Sequence, residues 1–446
     1  MSIARSLDLL DDLLRRARKA GADAADALLV EGAALTVAER LGRPEKLERA
    51  EGQDLGLRVF IGKRQAIVSS TDFSTRALDE LASRAVAMAS VVPEDPFCGI
   101  ADPGEIATSI PDLDLSDPEE PATETLIERV RAGEAAARAV PGVTNSEGAE
   151  ASWGRSRIAL AASNGFRQGY ALSHSGISVA VIAGEGTAME RDYDFSSVVH
   201  AGELEDPALV GRRAGEKAVR RLGPRKVATV KVPVVYDPRI ANGLVGHLAG
   251  AVNGASIARG ISFLTDKLGK RVLPAGIDIV EDPLRPRGLR SAPFDGEGLA
   301  TQRRKLVEDG VLTTWVLDLR SARQLGLKST GNASRGTSGP PSPSTRNLHL
   351  EPGRLSPKEL MADIASGFYC TELIGFGVNN VTGDYSRGAA GFWIEKGEIA
   401  YPVSEITIAG NLKDMFLNLT PANDLVFRYA TNAPTTRIEG MTVAGR

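Results

Sequence analysis

GISVAVIAG, residues 176–184, is a run of β-branched and small residues bounded by glycine, followed by DFS at 194–196 and then by a helical pattern. GLRVFIG, residues 56–62, has the same shape and is likewise followed by DFS, at 72–74, and a helix from about Ser74 to Ser90. The recurrence of strand, turn, strand and helix points to a duplicated sheet-plus-helix unit. Working outward, ADALLV, ALTVAER and QAIVSS read as further strands of the first unit, and TNSEGAEASWG, SRIALAA and GTAMERDYDF as strands of the second. Asn164-Gly165 is a tight hairpin turn between two of them. Turns that short join antiparallel neighbours, whereas parallel strands need a crossover, so an α+β half with antiparallel sheets and packed helices is predicted.

The rest of this half is helical or connecting. Ile3, Leu7, Leu10, Leu14 and Ala17 recur at helical spacing and Gly21 stops the helix. Residues 91–121 are rich in Pro, Asp and Gly and read as a crossing loop, with a helix over 122–139 after it. From VATVKVPVVYDPR the texture changes. A helix containing LVGHLAGAVNG (244–254) precedes a Gly- and Pro-rich stretch, a hairpin about Asp309-Gly310, and STGNASRGTSGPPSPSTRN (329–347), read as a long flexible loop. A short helix near 356–366, the strand FYCTELIG and the hairpin GFWIEKGEIAYPVSEITIAG follow. The chain is thus predicted as two domains, an α+β domain over 1–228 and a β-rich one over 229–446.

With 42% hydrophobic and 25% charged residues, the composition is that of a soluble globular protein. A net charge of -4 provides no overall field for nucleic acid. The densest basic run, RRAGEKAVRRLGPRK at 212–226, reads as the solvated face of a helix end, with Glu216 able to pair with Arg220. No apolar run is long enough to span a bilayer, and Cys98 and Cys370 form no CxxC, which suits the cytoplasm. GxSxG and Walker A patterns are absent, and His174 of HSG lies within a strand pattern. His174, His200, His247 and His349 are too far apart to share a helical turn, and Asp266, Asp278, Glu281, Asp282 and Asp295 read as solvated loop carboxylates.

DYDFSS with SHSGISVAVIAGEGTAMERD before it, LVGHLAGAVNG with SIARGISFL, APFDGEG, TQRRKLVEDGVL, KSTGNASRG and GFGVNNVTGDYSRGAAGFWIEKGEIAYPVSEITIAGNLKDM together resemble the TldD/PmbA family. That family is peptidase-related and has a supposed link to DNA gyrase modulation. The resemblance covers nearly the whole chain and points to the PmbA branch, also called TldE. It implies that the TldD branch holds zinc through HExxxH on a helix and a cysteine near the C-terminus. Set on that pattern, Gly246, His247 and Ala251 occupy the positions of the first histidine, the glutamate and the second histidine, and no cysteine follows Cys370.

The resemblance therefore implies a chain with no catalytic residue, no metal and no cofactor of its own. It would act as a subunit of a TldD-TldE metallopeptidase complex that degrades or processes unfolded or small peptides, with zinc in a TldD-type partner. A homodimer of the isolated chain also fits. Candidate peptide contacts are His247, Asn332, Arg335, Gly336, Asn379 and Asn380, and an extended peptide could add to an exposed strand edge. Two alternatives stay open: a self-sufficient peptidase using other residues, and a DNA-gyrase-modulating or other binding protein supported only by the run at 212–226.

Overall fold

The structure is a computed structural model describing residues 2–445. Helix α1 (Ile3–Ala20) starts at Ser2, whose hydroxyl accepts from the Arg5 amide, and stops at Gly21, where φ is 111°. It leads into β1 (Ala24–Arg40), β2 (Arg43–Ile61), β3 (Arg64–Ser70) and α2 (Thr75–Val91). After the crossing loop the same order returns as α3 (Thr123–Arg138), β4 (Val143–Ala162), β5 (Arg167–Ala183), β6 (Glu190–Val198) and α4 (Pro207–Arg220). All six strands form one antiparallel sheet in the order β3-β2-β1-β4-β5-β6. The two units of helix, three strands and helix therefore meet at the central β1–β4 pair.

Three sequence readings change here. The two DFS motifs are not equivalent: Ser74 caps α2, but residues 194–196 lie inside β6 and α4 begins later, under Asp206. ADALLV and ALTVAER are one strand, because Gly32 continues its extended pairing with both neighbours. β2 starts at Arg43, well before GLRVFIG, and its first eleven residues are all exposed. With both faces wet, that segment has no apolar alternation to announce it.

Helices cover one face of the sheet. Leu10 and Leu13 of α1 and Leu81 of α2 pack on Leu29 and Leu57, while Leu126 and Val130 of α3 and Ala214 of α4 pack on Trp153 and Val179. Each large apolar side chain buried this way contributes roughly 1.5–3 kcal/mol. On the opposite face Leu28, Leu160 and Phe166 meet Phe294 from the C-terminal part.

The C-terminal part is β-rich. β7 (Val230–Tyr236) runs parallel to Ser366–Ile374 and antiparallel to Thr436–Ala444. Asp384–Glu395 and Glu398–Asn411 extend that sheet, and pairing of Thr407–Ala409 with Thr442–Ala444 closes the five strands into a barrel. A second sheet orders Val311–Leu312, Arg304–Glu308, Ile279–Glu281, Leu348–Leu350 and Thr431–Asn432. α5 (Pro238–Ala251) leaves β7 with Asp237 as its cap and buries Leu244, Val245 and Leu248 in a core shared with Tyr236, Trp315 and Phe368.

Further corrections concern the polar segments. The 329–347 stretch is anchored: Ala333–Ser334 pairs with Ser342–Pro343, Asn332 Nδ2 donates to Glu281 at 2.6 Å, and the Arg335 guanidinium pairs with Asp26 of β1. Glu281 and Asp295, read as solvated, are buried, since Glu281 accepts from Asn332 and the Arg346 amide and Asp295 accepts from the amides of Glu297, Leu299 and Ala333. The basic run is not simply a solvated face. Arg213 and Lys217 pair with Asp194, Arg221 with Glu190, Asp192 and Glu372, and Lys226 with Glu405, while Arg220 stacks over Phe392 in place of a bond to Glu216. The run is a seam between the two parts of the chain.

Candidate functional site

The helix that carries the candidate metal positions has a smooth outer face. Gly246 is exposed, and a Cβ built on it or on Gly243 or Gly250 would meet nothing within 4 Å. His247 is half-buried, edge-on to Tyr385 with ring centroids 5.9 Å apart and planes at 79°. Burial and the nearby Arg387 guanidinium both push its pKa below the ordinary histidine value, which favours the neutral ring. Ala251 is buried in the core.

These residues do not fit a zinc ion. Gly246 and Ala251 carry no donor, and among the described residues no three His, Cys, Asp or Glu side chains converge. Cys370 lies on Ser366–Ile374 with its thiol directed at the Glu372 carbonyl at 3.4 Å, and burial pushes its pKa well up, against the thiolate a metal requires.

The peptide-contact candidates fall into two groups. Asn379 and Asn380 are exposed in the loop before Tyr385: Asn379 Oδ1 accepts from the Val381 amide at 2.9 Å, and the Asn380 carbonyl accepts from Phe263 at 3.0 Å. Val378 bridges to Tyr385, so the Tyr385 ring links this loop to His247. Asn332 and Arg335 lie elsewhere, committed to Glu281 and Asp26, and only Gly336 beside them is exposed.

A larger feature escaped the sequence reading. A cleft of about 700 Å³ lies between β6 and the start of α5, with Tyr193, Phe195, Arg239, Phe427, Arg428 and Tyr429 on its walls. Arg239 reaches Asp192 through both terminal nitrogens, at 2.6 and 3.1 Å, and donates to the Thr371 carbonyl at 2.8 Å. The outward amides of β6 are already used, since Tyr193 N donates to Asp192 Oδ1 at 2.8 Å and Phe195 N to Asp194 Oδ1 at 2.9 Å. Arg428 donates to the Phe195 carbonyl. A strand added along this part of the edge would have to displace those bonds.

Three family models match the chain: "PmbA/TldA metallopeptidase domain 1" over residues 25–89, the "central domain" over 116–222 and the "C-terminal domain" over 229–445. Metalloprotease PmbA of Escherichia coli O157:H7 is 40% identical over 95% of this chain and 93% of its own length. The chain belongs to the PmbA/TldD metallopeptidase family. A PmbA homolog of Haemophilus influenzae is 36% identical over 96% of this chain and 94% of its own. Among solved structures, a candidate modulator of DNA gyrase from Bacteroides thetaiotaomicron superposes with a TM-score of 0.90 at 26% identity, covering 98% of both chains. TldE from Thermococcus kodakarensis shares the fold, with a TM-score of 0.88 at 21% identity over 98% of this chain and 100% of that one.

Within this PmbA/TldD chain, the cleft is assembled from segments far apart in sequence, which is why no local motif announced it. The one usable signal was Asp237-Pro238, a cap-plus-proline helix start, which fixes where α5 begins and hence where Arg239 lies. No helix among the described residues is long and apolar enough to cross a membrane.

Proposed function

We propose that this chain is the metal-free subunit of a cytoplasmic two-chain metallopeptidase that degrades or processes unfolded or small peptides, its zinc residing in a homologous TldD-type partner. The observation that carries this reading is α5 itself. Its packing is complete through Leu244, Val245 and Leu248, yet Gly246 and Ala251 stand where metal donors would be needed. In such an assembly this chain contributes shape: the open glycine face of α5 leaves room beside it, and the neutral His247 ring offers a hydrogen bond without a charge.

Zinc content and cleavage of an unstructured peptide should be measured for this chain alone, for a TldD-type chain alone, and for the mixture. Cleavage only where the TldD-type chain is present, rising when this chain is added, with all zinc in the partner, is the expected result. Stoichiometric zinc and cleavage by this chain alone would overturn the reading in favour of a self-sufficient peptidase. Nothing favours direct DNA binding through the basic run, because Arg213, Lys217, Arg221 and Lys226 are spent on acids of the chain itself.

A further inference from the structure

The cleft beside β6 continues past Phe427. A second hollow of about 300 Å³ shares Ser197, Val198, Phe427 and Tyr429 with it and runs on along residues 285–289, so the two make one groove. The charges in its middle are matched. Arg213, Lys217 and Arg428 pair with Asp194 and Glu205, Arg239 pairs with Asp192, and Glu203 pairs with Arg287. Between these pairs the walls are aromatic, with Tyr429 edge-to-face on Phe195 at 5.2 Å between centroids.

The charges at its two ends are not matched. Asp237 accepts from the Tyr369 hydroxyl at 2.9 Å and the Arg239 amide at 3.0 Å, and Asp424 accepts from the amide and hydroxyl of Thr435 at 2.9 and 2.7 Å. All four donors are neutral, neither carboxylate is in an ion pair among the described residues, and each keeps lone pairs for a charged donor. The two lie near one another: burial, then the charge of Asp237 and that of Asp424, push the Tyr369 pKa well up. No third His, Cys, Asp or Glu side chain joins them among the described residues, so this end suits an ammonium group better than a metal ion. At the other end the Arg285 guanidinium stacks 3.4 Å from the centroid of Phe427 and has no hydrogen bond or carboxylate partner among the described residues. His349 backs that ring edge-on at 5.1 Å. Stacking fixes the plane of a guanidinium and leaves its N–H edge free, which suits a carboxylate held by two parallel bonds.

We infer that this groove binds short peptides by their two free ends, with the α-ammonium at Asp237 and Asp424, side chains against Phe195, Tyr429 and Phe427, and the α-carboxylate on Arg285. Separated opposite charges fit a zwitterion in one direction only, and they select a short fragment over the middle of a long chain. Strand addition has no part in it, since the outward amides of Tyr193 and Phe195 are taken by Asp192 and Asp194. The site is also apart from the glycine face of α5: His247 lies ten residues beyond Asp237, about 15 Å further along the helix axis. It belongs to this chain alone and does not rest on the subunit reading, since neither zinc nor cleavage enters its test.

The full chain is titrated calorimetrically with the tetrapeptide Ala-Phe-Ala-Ala and with its N-acetylated, C-amidated and doubly blocked forms. Saturable binding of the unblocked peptide is expected, weakened roughly tenfold or more by either block, as for the loss of a charge-assisted hydrogen bond. Asp424→Asn should bind the unblocked peptide no better than the acetylated one while still preferring a free carboxylate. Arg285→Gln should do the reverse, losing its response to amidation and keeping its response to acetylation. Because Arg285 makes no bond within the chain, that variant serves even if Asp424→Asn fails to fold. Equal weakening of all four peptides by Arg285→Gln would mean that the residue only shapes the groove, and would overturn the inference. So would an unblocked peptide that does not bind, or a doubly blocked one that binds as well. A blocked peptide with charged side chains, acetyl-Lys-Phe-Ala-Glu-amide, separates termini from side chains, and binding as tight as that of the unblocked peptide would overturn recognition by the ends.

Discussion

The two repeats of the N-terminal sheet have the same order of elements and are fastened to the C-terminal part in different ways. The second is held by its edge strand and the end of its last helix: Asp192 and Asp194 of β6 receive Arg239 and Arg428 from the C-terminal part, and Arg221, just past α4, reaches Glu372. The first is held by its sheet face. Arg58 and Asp26 meet Arg335, and Gly56 lets the Thr337 backbone come so close that a Cβ would lie 2.1 Å from its carbonyl oxygen. Fastening by the edge uses that edge up, whereas fastening by the face leaves β2 open. Duplicated units thus diverge less in their strands than in which surface remains available.

The largest effect should come from cutting the edge fastening. Asp192→Ala leaves the half-hidden Arg239 and Arg221 guanidiniums without their shared carboxylate, and a loss of about 3–5 kcal/mol is expected in equilibrium urea unfolding. The face fastening should be cheaper to damage: Gly56→Ala forces Thr337 away and is expected to cost about 1–3 kcal/mol. Gly52→Ala, on the same strand with nothing within 4 Å, should be close to neutral, and equal losses at the two glycines would refute the close-approach argument.

A smaller effect separates the two fastenings by pH. Burial, reinforced by Asp295 and opposed by Arg58, pushes the Glu297 carboxyl up to about 8. A carboxyl raised above its unfolded value contributes stability that is complete below the ordinary carboxylate range and is lost as pH rises through about 8. Glu297→Gln stays neutral, so its melting temperature should gain on the wild type as pH rises from about 4.5 to about 8, level off above that, and show no such gain near pH 4. A constant offset would mean that Glu297 does not titrate there. The smallest effect belongs to the open edge: K46E/R49E should change the stability of the single chain by no more than about 0.5 kcal/mol, because its ion pairs are exposed.

Much of the fold was legible because local chemistry marks it. Asn164-Gly165 gives the β4–β5 turn, and Asp237-Pro238 and Gly21 mark helix ends. The lack of zinc donors on α5 needs only residue types. Other features depend on partners that sequence does not display. The charged half of β2 has no apolar period, Glu281 and Asp295 are buried by the loop that covers them, and Arg221 of the 212–226 run finds Glu372 across a seam. The shared DFS was a coincidence of letters within a true recurrence of elements.

The barrel has one more implication, for how this protein could be cut and rejoined. Its chain enters along β7 and returns along Thr436–Ala444, with Val443 directly opposite Val230. A module whose two ends meet is suited to circular permutation: a short linker from Val443 back to Val230, with new termini opened near Gly339, leaves every barrel strand intact.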